Sequence, residues 1–281
     1  MENPAEHERQ TSRGREALLN YRLAGISVSR SICAAMMTSI LRNVLTAGIF
    51  TVTSVLHAQS GMHSAVKPMP RALETNWTAR AKLLDQRVKQ TPDTEVLFIG
   101  DSITQGWEGV AGGSNVWKKY YAPRKAVNLG IGGDRTQHVL WRLEKAPLEN
   151  VKPKAAVVMI GTNNSNGEDN TPGQIVEGIE AIIKKLRERL PNTKILLLGI
   201  FPRGENFNVQ RGKLTQINQV LVKLHDGKDV HFLDIGHQFL NSDGILPAEI
   251  MPDYLHLSEK GYQIWADAIE PKLAELLGEK N

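Results

Sequence analysis

From about Thr75 onward the chain repeats one unit: a short run of consecutive apolar residues, then a longer stretch whose apolar residues recur at helical spacing. Runs such as 96–99, 155–160 and 195–200 are short and apolar, and the continuous run 155–160 fits a strand buried on both faces. A sheet covered on both faces needs helices in its crossover connections, and that in turn predicts parallel strands. The pattern predicts five strands, at 96–99, 126–131, 155–160, 195–200 and 230–235. Helices are expected at 77–90, 136–148, 173–190 with Pro191 ending it, about 209–224, and 259–277. The expected fold class is α/β, one parallel sheet between layers of helices.

In such a sheet, reacting groups collect beyond the strand C-terminal ends. Three polar motifs fall there: Gly100-Asp101-Ser102 after the first strand, Gly130-Ile131-Gly132-Gly133 after the second, and Gly161-Thr162-Asn163-Asn164 after the third.

The rest of the composition narrows the function classes. The formal charge of +4 overstates the basicity of the folded part, because residues 1–58 carry six Arg against four Glu. A near-neutral body without a Lys/Arg block offers no footprint for nucleic acid. Cys33 is the single cysteine, so an intramolecular disulfide and a thiolate zinc site are both excluded. Residues 1–58 read as a leader. Within it, Met36, Met37 and Arg42 precede a mostly apolar run, 44–56, which is too short for the ~20 residues of a stable membrane span but the length of a signal-peptide core. Residues 36–58 are the expected signal peptide, with cleavage near Ala58. Residues 59–74 are then a linker and 75–281 the domain. The expected location is secreted or periplasmic.

A serine hydroxyl after a strand becomes a nucleophile only if a base takes its proton and a carboxylate orients that base. Of the eight histidines, His7, His57 and His63 lie in or near the leader, while His225, His231 and His237 sit in or beside the fifth strand without a motif. His138 falls inside a helix next to Val139, Leu140 and Trp141, the setting of a structural histidine. His256 stands three residues after Asp253, just before the last helix. That spacing lets Asp253 accept from one ring nitrogen while the other faces Ser102, although an Asp there also serves as a helix cap. The glycine turn at 130–133 and the Asn163 amide could hold an oxyanion. A phosphate cradle is the rival reading of the glycines, but Arg135 stands where a dinucleotide fingerprint needs its third glycine.

Gly100-Asp101-Ser102-Ile103-Thr104, the 128–134 stretch, Gly161-Thr162-Asn163-Asn164 and Asp253-Tyr254-Leu255-His256 resemble, in order, the four signature blocks of the GDSL/SGNH hydrolases. Gln137 to Arg142 and Pro202-Arg203-Gly204-Glu205 more narrowly resemble the catalytic subunits of platelet-activating factor acetylhydrolase. The resemblance implies a flavodoxin-like three-layer α/β/α sandwich and neither metal nor organic cofactor. It implies Ser102 as nucleophile, His256 as base and Asp253 as its orienting carboxylate. The oxyanion hole would be the N–H groups of Ser102 and Gly133 with the Asn163 side chain. It extends to a homodimer, as in those relatives. The expected activity is hydrolysis of short acyl esters, acetyl first, on carbohydrates. A platelet-activating-factor-like acetylhydrolase or lysophospholipase is the second expectation. Two rivals from other classes are a non-catalytic carbohydrate-binding module and a flavin- or nucleotide-binding protein on the same fold.

Overall fold

A computed structural model describes residues 62–279. The expected leader with its expected signal peptide, and Cys33, lie outside the described residues.

The elements run α1 (Thr75–Gln90), β1 (Val96–Gly100), α2 (Ser102–Gln105), α3 (Ser114–Tyr120), β2 (Ala126–Asn128), α4 (Thr136–Lys145), β3 (Ala155–Met159), α5 (Pro172–Arg189), β4 (Lys194–Leu198), α6 (Val209–Leu221), β5 (Val230–Leu233) and α7 (Glu259–Leu277). The five strands form one parallel sheet in the order β2-β1-β3-β4-β5. Helices cover both faces, which makes a three-layer α/β/α sandwich.

Successive strand residues point to opposite faces, and the two cores divide accordingly. Leu97, Ile99, Ala156, Val158, Ile195 and Leu197 pack under α1, α4, α5 and α6. Val96, Phe98, Val157, Met159, Leu196 and Leu198 pack under α2, α3 and α7. The second core is unusually aromatic. Trp107, Tyr121, Tyr262 and Trp265 are each at most 1% exposed, and the Trp107 ring lies 4.5 Å from Tyr262 and 4.9 Å from Trp265.

Several predicted bounds differ: β2, expected to reach residue 131, ends at Asn128, and the helix expected at about 209–224 ends at Leu221. The helix expected at 136–148 ends at Lys145, because the residue before a proline is driven out of the helical region and Ala146 has ψ 145° ahead of Pro147. The glycine-containing segment between the first two strands carries α3, which the aromatic packing of Trp117 and Tyr121 against Phe98 holds in place. Of the segment expected as a linker, Ala65 is fully buried and its carbonyl accepts from the Thr136 hydroxyl at 2.7 Å. Among the described residues no helix is long and apolar enough to cross a membrane.

The strand order matters for the site. From β1 the chain passes to β2 on one side and then to β3 on the other, so the loops after β1 and β3 diverge and leave a crevice between them.

Candidate active site

Ser102 opens α2, the short helix immediately after β1. Asp101 caps it, its Oδ1 accepting from the Ile103 N–H at 3.0 Å. Asp101 is fully buried and its Oδ2 has no partner among the described residues; burial pushes its carboxyl up to about 7.

The loop after β2 folds tightly onto this helix. A Cβ at Gly130 would come within 2.3 Å of the Gln105 nitrogen, so only glycine permits the approach. Gly132 N–H donates to Gln105 Oε1 at 2.7 Å, and Gly133 takes φ +74°, a left-handed conformation. The N–H groups of Ser102 and Gly133 find no acceptor among the described residues.

Asn163 follows β3. One of its amide hydrogens is given to the Asp134 carbonyl at 2.9 Å, which leaves the second for another acceptor.

Asp253 and His256 precede α7. Tyr254 between them has φ +58°, rare for a side-chain-bearing residue, and it folds the segment so tightly that Asp253 Oδ1 accepts from the N–H groups of Leu255 at 3.1 Å and His256 at 2.7 Å. Asp253 Oδ2 lies 2.6 Å from His256 Nδ1, and His256 Nε2 lies 2.9 Å from Ser102 Oγ. Partial burial works against the Asp253 charge, yet its hydrogen bonds with His256 hold the carboxyl below its ordinary value. The pair is open to solvent, with the side chains of His256 and Asp253 44% and 56% exposed.

Ser102, His256 and Asp253 thus form one hydrogen-bonded chain, with Gly132-Gly133 and Asn163 supplied by the neighbouring loops. His138 stands apart from it: its Nδ1 accepts from the Arg135 N–H at 3.0 Å and burial lowers its pKa to about 4. Sequence reasoning missed a group of supporting cations. Arg142 is bound to the buried Asp134 carboxylate, donating from Nε to Oδ2 at 2.8 Å, and also donates to the Leu129 carbonyl at 2.8 Å, which pins the turn after β2. Arg203 donates to Thr162 Oγ1 at 3.3 Å beside Asn163. Among the described residues no group of three or more His, Cys, Asp or Glu side chains converges to hold a metal ion.

The model of the GDSL-like Lipase/Acylhydrolase family matches residues 98–264, a span that holds every one of these motifs. The chain belongs to this family. This GDSL-like hydrolase is 42% identical over 188 residues to platelet-activating factor acetylhydrolase IB subunit alpha2 of Rattus norvegicus, covering 66% of this chain and 79% of the relative. It is 41% identical to the alpha1 subunit of Homo sapiens, with 66% and 78% covered. Among solved structures, a catalytic mutant of an acetylxylan esterase from Geobacillus stearothermophilus superposes with TM-score 0.51 at 20% identity, over 66% of this chain and 95% of that one. The GDSL-like hydrolase is accordingly an ester-hydrolysing enzyme.

Proposed function

We propose that this enzyme hydrolyses short-chain acyl esters, acetyl esters first, on carbohydrates, with Ser102 as nucleophile, His256 as base and Asp253 as the carboxylate that orients it. The observation that carries this reading is the continuous path from Ser102 Oγ to His256 Nε2 at 2.9 Å and from His256 Nδ1 to Asp253 Oδ2 at 2.6 Å. Ser102 Oγ bonds to the ester carbonyl carbon while its proton passes to His256 Nε2. The negative charge that develops on the carbonyl oxygen is held by the N–H groups of Ser102 and Gly133 and the Asn163 amide. Collapse breaks the bond to the alcohol oxygen, which takes the proton from His256. A water molecule, deprotonated by the same imidazole, then releases the acid from the serine.

The openness of the His256–Asp253 pair supports an ester displayed on a bulky carrier, since an acyl group on an extended glycan can reach such a site without the carrier being enclosed. The carbohydrate reading also agrees with the proposal that residues 36–58 direct export. An amino terminus close to Gln59 on the mature protein, read by mass spectrometry, is the expected result, and one upstream of Val44 would remove that proposal. A platelet-activating-factor-like acetylhydrolase is the second reading, favoured by 42% identity to a relative of that name.

The test is hydrolysis of p-nitrophenyl acetate, butyrate and octanoate by wild type beside Ser102→Ala. Acetate is expected to be preferred, and the variant is expected to lose about 10⁴-fold or more. Acetylated xylooligosaccharides against an acetylated ether phospholipid then separate the two alcohols. An inactive wild type would transfer the reading to a carbohydrate-binding module, and a variant matching an active wild type would remove Ser102 as the nucleophile.

A further inference from the structure

Arg71 lies before α1, outside the residues the family model matches, yet it reaches the turn that follows β2. Its Nη1 donates to the Gly132 carbonyl at 2.6 Å. Glu74 grips the other edge of the guanidinium, accepting from Nε at 2.9 Å and from Nη2. The fork is therefore held in one orientation, with Asp134 Oδ1 3.7 Å from Nη1. The fit is close enough that a Cβ on Gly133 would come 2.9 Å from Nη1.

Gly132 C=O and Gly133 N–H belong to the same trans peptide and point in opposite directions. A cation bonded to the carbonyl on the outer side draws electron density from the amide, which makes the N–H on the inner side a stronger donor. Gly133 N–H is the one amide of that turn left without an acceptor among the described residues, apart from whatever approaches Ser102. Gly132 stands against the nucleophile, its ideal Cβ position lying 3.7 Å from Ser102 Cβ.

From this geometry we infer that Arg71 is a positioning residue of the reaction: it orients and polarises the Gly132–Gly133 peptide so that Gly133 N–H binds the developing oxyanion. The inference rests on the proposed oxyanion role of Gly133. The interaction gains strength only as negative charge appears, so it acts on kcat and leaves KM nearly untouched. Deleting a whole oxyanion donor costs about 10²–10³ in kcat. Weakening one that remains in place costs less, on the order of 10-fold.

The experiment compares Arg71→Met, Arg71→Gln and Arg71→Lys with wild type and Ser102→Ala on p-nitrophenyl acetate, with near-ultraviolet circular dichroism to establish the folded fraction. Arg71→Met is expected to lose about 10-fold in kcat with KM within about twofold, and Arg71→Lys, which keeps a charged donor, to recover most of that loss. Arg71→Gln, a neutral donor, falls between them. If Arg71→Met does not fold, Arg71→Gln against Arg71→Lys carries the comparison. Equal kcat for Gln and Lys, a loss confined to KM, or a Met variant within twofold of wild type overturns the inference. Activity surviving in Ser102→Ala would overturn the serine mechanism itself, a separate outcome.

Discussion

At the scale of single residues, the site sets two carboxylates in opposite environments. Asp253 is hydrogen-bonded by an imidazole and two backbone amides and stays ionised; Asp101, beside Ser102, is sealed from water with one oxygen unpartnered among the described residues. Burial moves the Asp101 carboxyl from 3.8 to about 7. Between those values the unfolded chain has released the proton and the folded one still holds it, so stability falls as pH rises through that window, by at most about 1.4 kcal/mol per pH unit. Asp253 contributes in the reverse sense, its stabilisation being lost as pH falls. Asp101→Asn keeps the acceptor for Ile103 N–H and removes the ionisation. Its melting temperature relative to wild type is expected to rise from about pH 5 to pH 8, and a difference that stays flat across that range would contradict the assignment. Asn163→Ala tests the proposed oxyanion role instead: kcat on p-nitrophenyl acetate is expected to fall about 10²-fold or more with little change in KM.

At the scale of elements, the loops that carry the reacting groups are fixed by caps and turns, and their strength can be measured. Ser258 caps α7 two residues after His256, accepting from Gly261 N–H at 3.3 Å and donating to the Glu249 carbonyl at 2.6 Å. Ser258→Ala is expected to cost about 1 kcal/mol, or about 2–4 °C in a thermal melt. The strands and most helices were legible in the sequence because continuous apolar runs and helical periodicity are local signals, and α7 lies where its pattern puts it. The Asp253-x-x-His256 spacing was equally local. The segment from Gly106 to Tyr121 was not legible, since its short helices are held by tertiary contacts, Trp107 with Tyr262 and Trp265 of α7 and Trp117 with Phe98 of β1. The Arg71 contact with Gly132 spans 61 residues, and the Asp134 pair with Arg142 depends on shared burial. No spacing rule announces either one.

At the scale of the whole molecule, the aromatic core beneath α7 joins the two halves of the site. Trp265 is fully buried, 4.9 Å from Trp107 and 5.0 Å from Phe201, and the Tyr262 hydroxyl donates to the Ile103 carbonyl in α2, the helix that Ser102 opens, at 2.7 Å. Trp265→Ala is expected to cost about 3–5 kcal/mol in chemical unfolding. Activity per folded molecule at low temperature should hold up better, and a variant that melts like wild type would refute this role for the ring. The bond from Tyr262 to Ile103 joins residues 159 apart in the chain. During synthesis Ser102 therefore leaves the ribosome long before His256, and the last helix must dock before the two can meet. Under the proposed mechanism a nascent or C-terminally truncated chain carries an unarmed serine, so turnover of a chromogenic ester is expected to report the moment at which folding is complete.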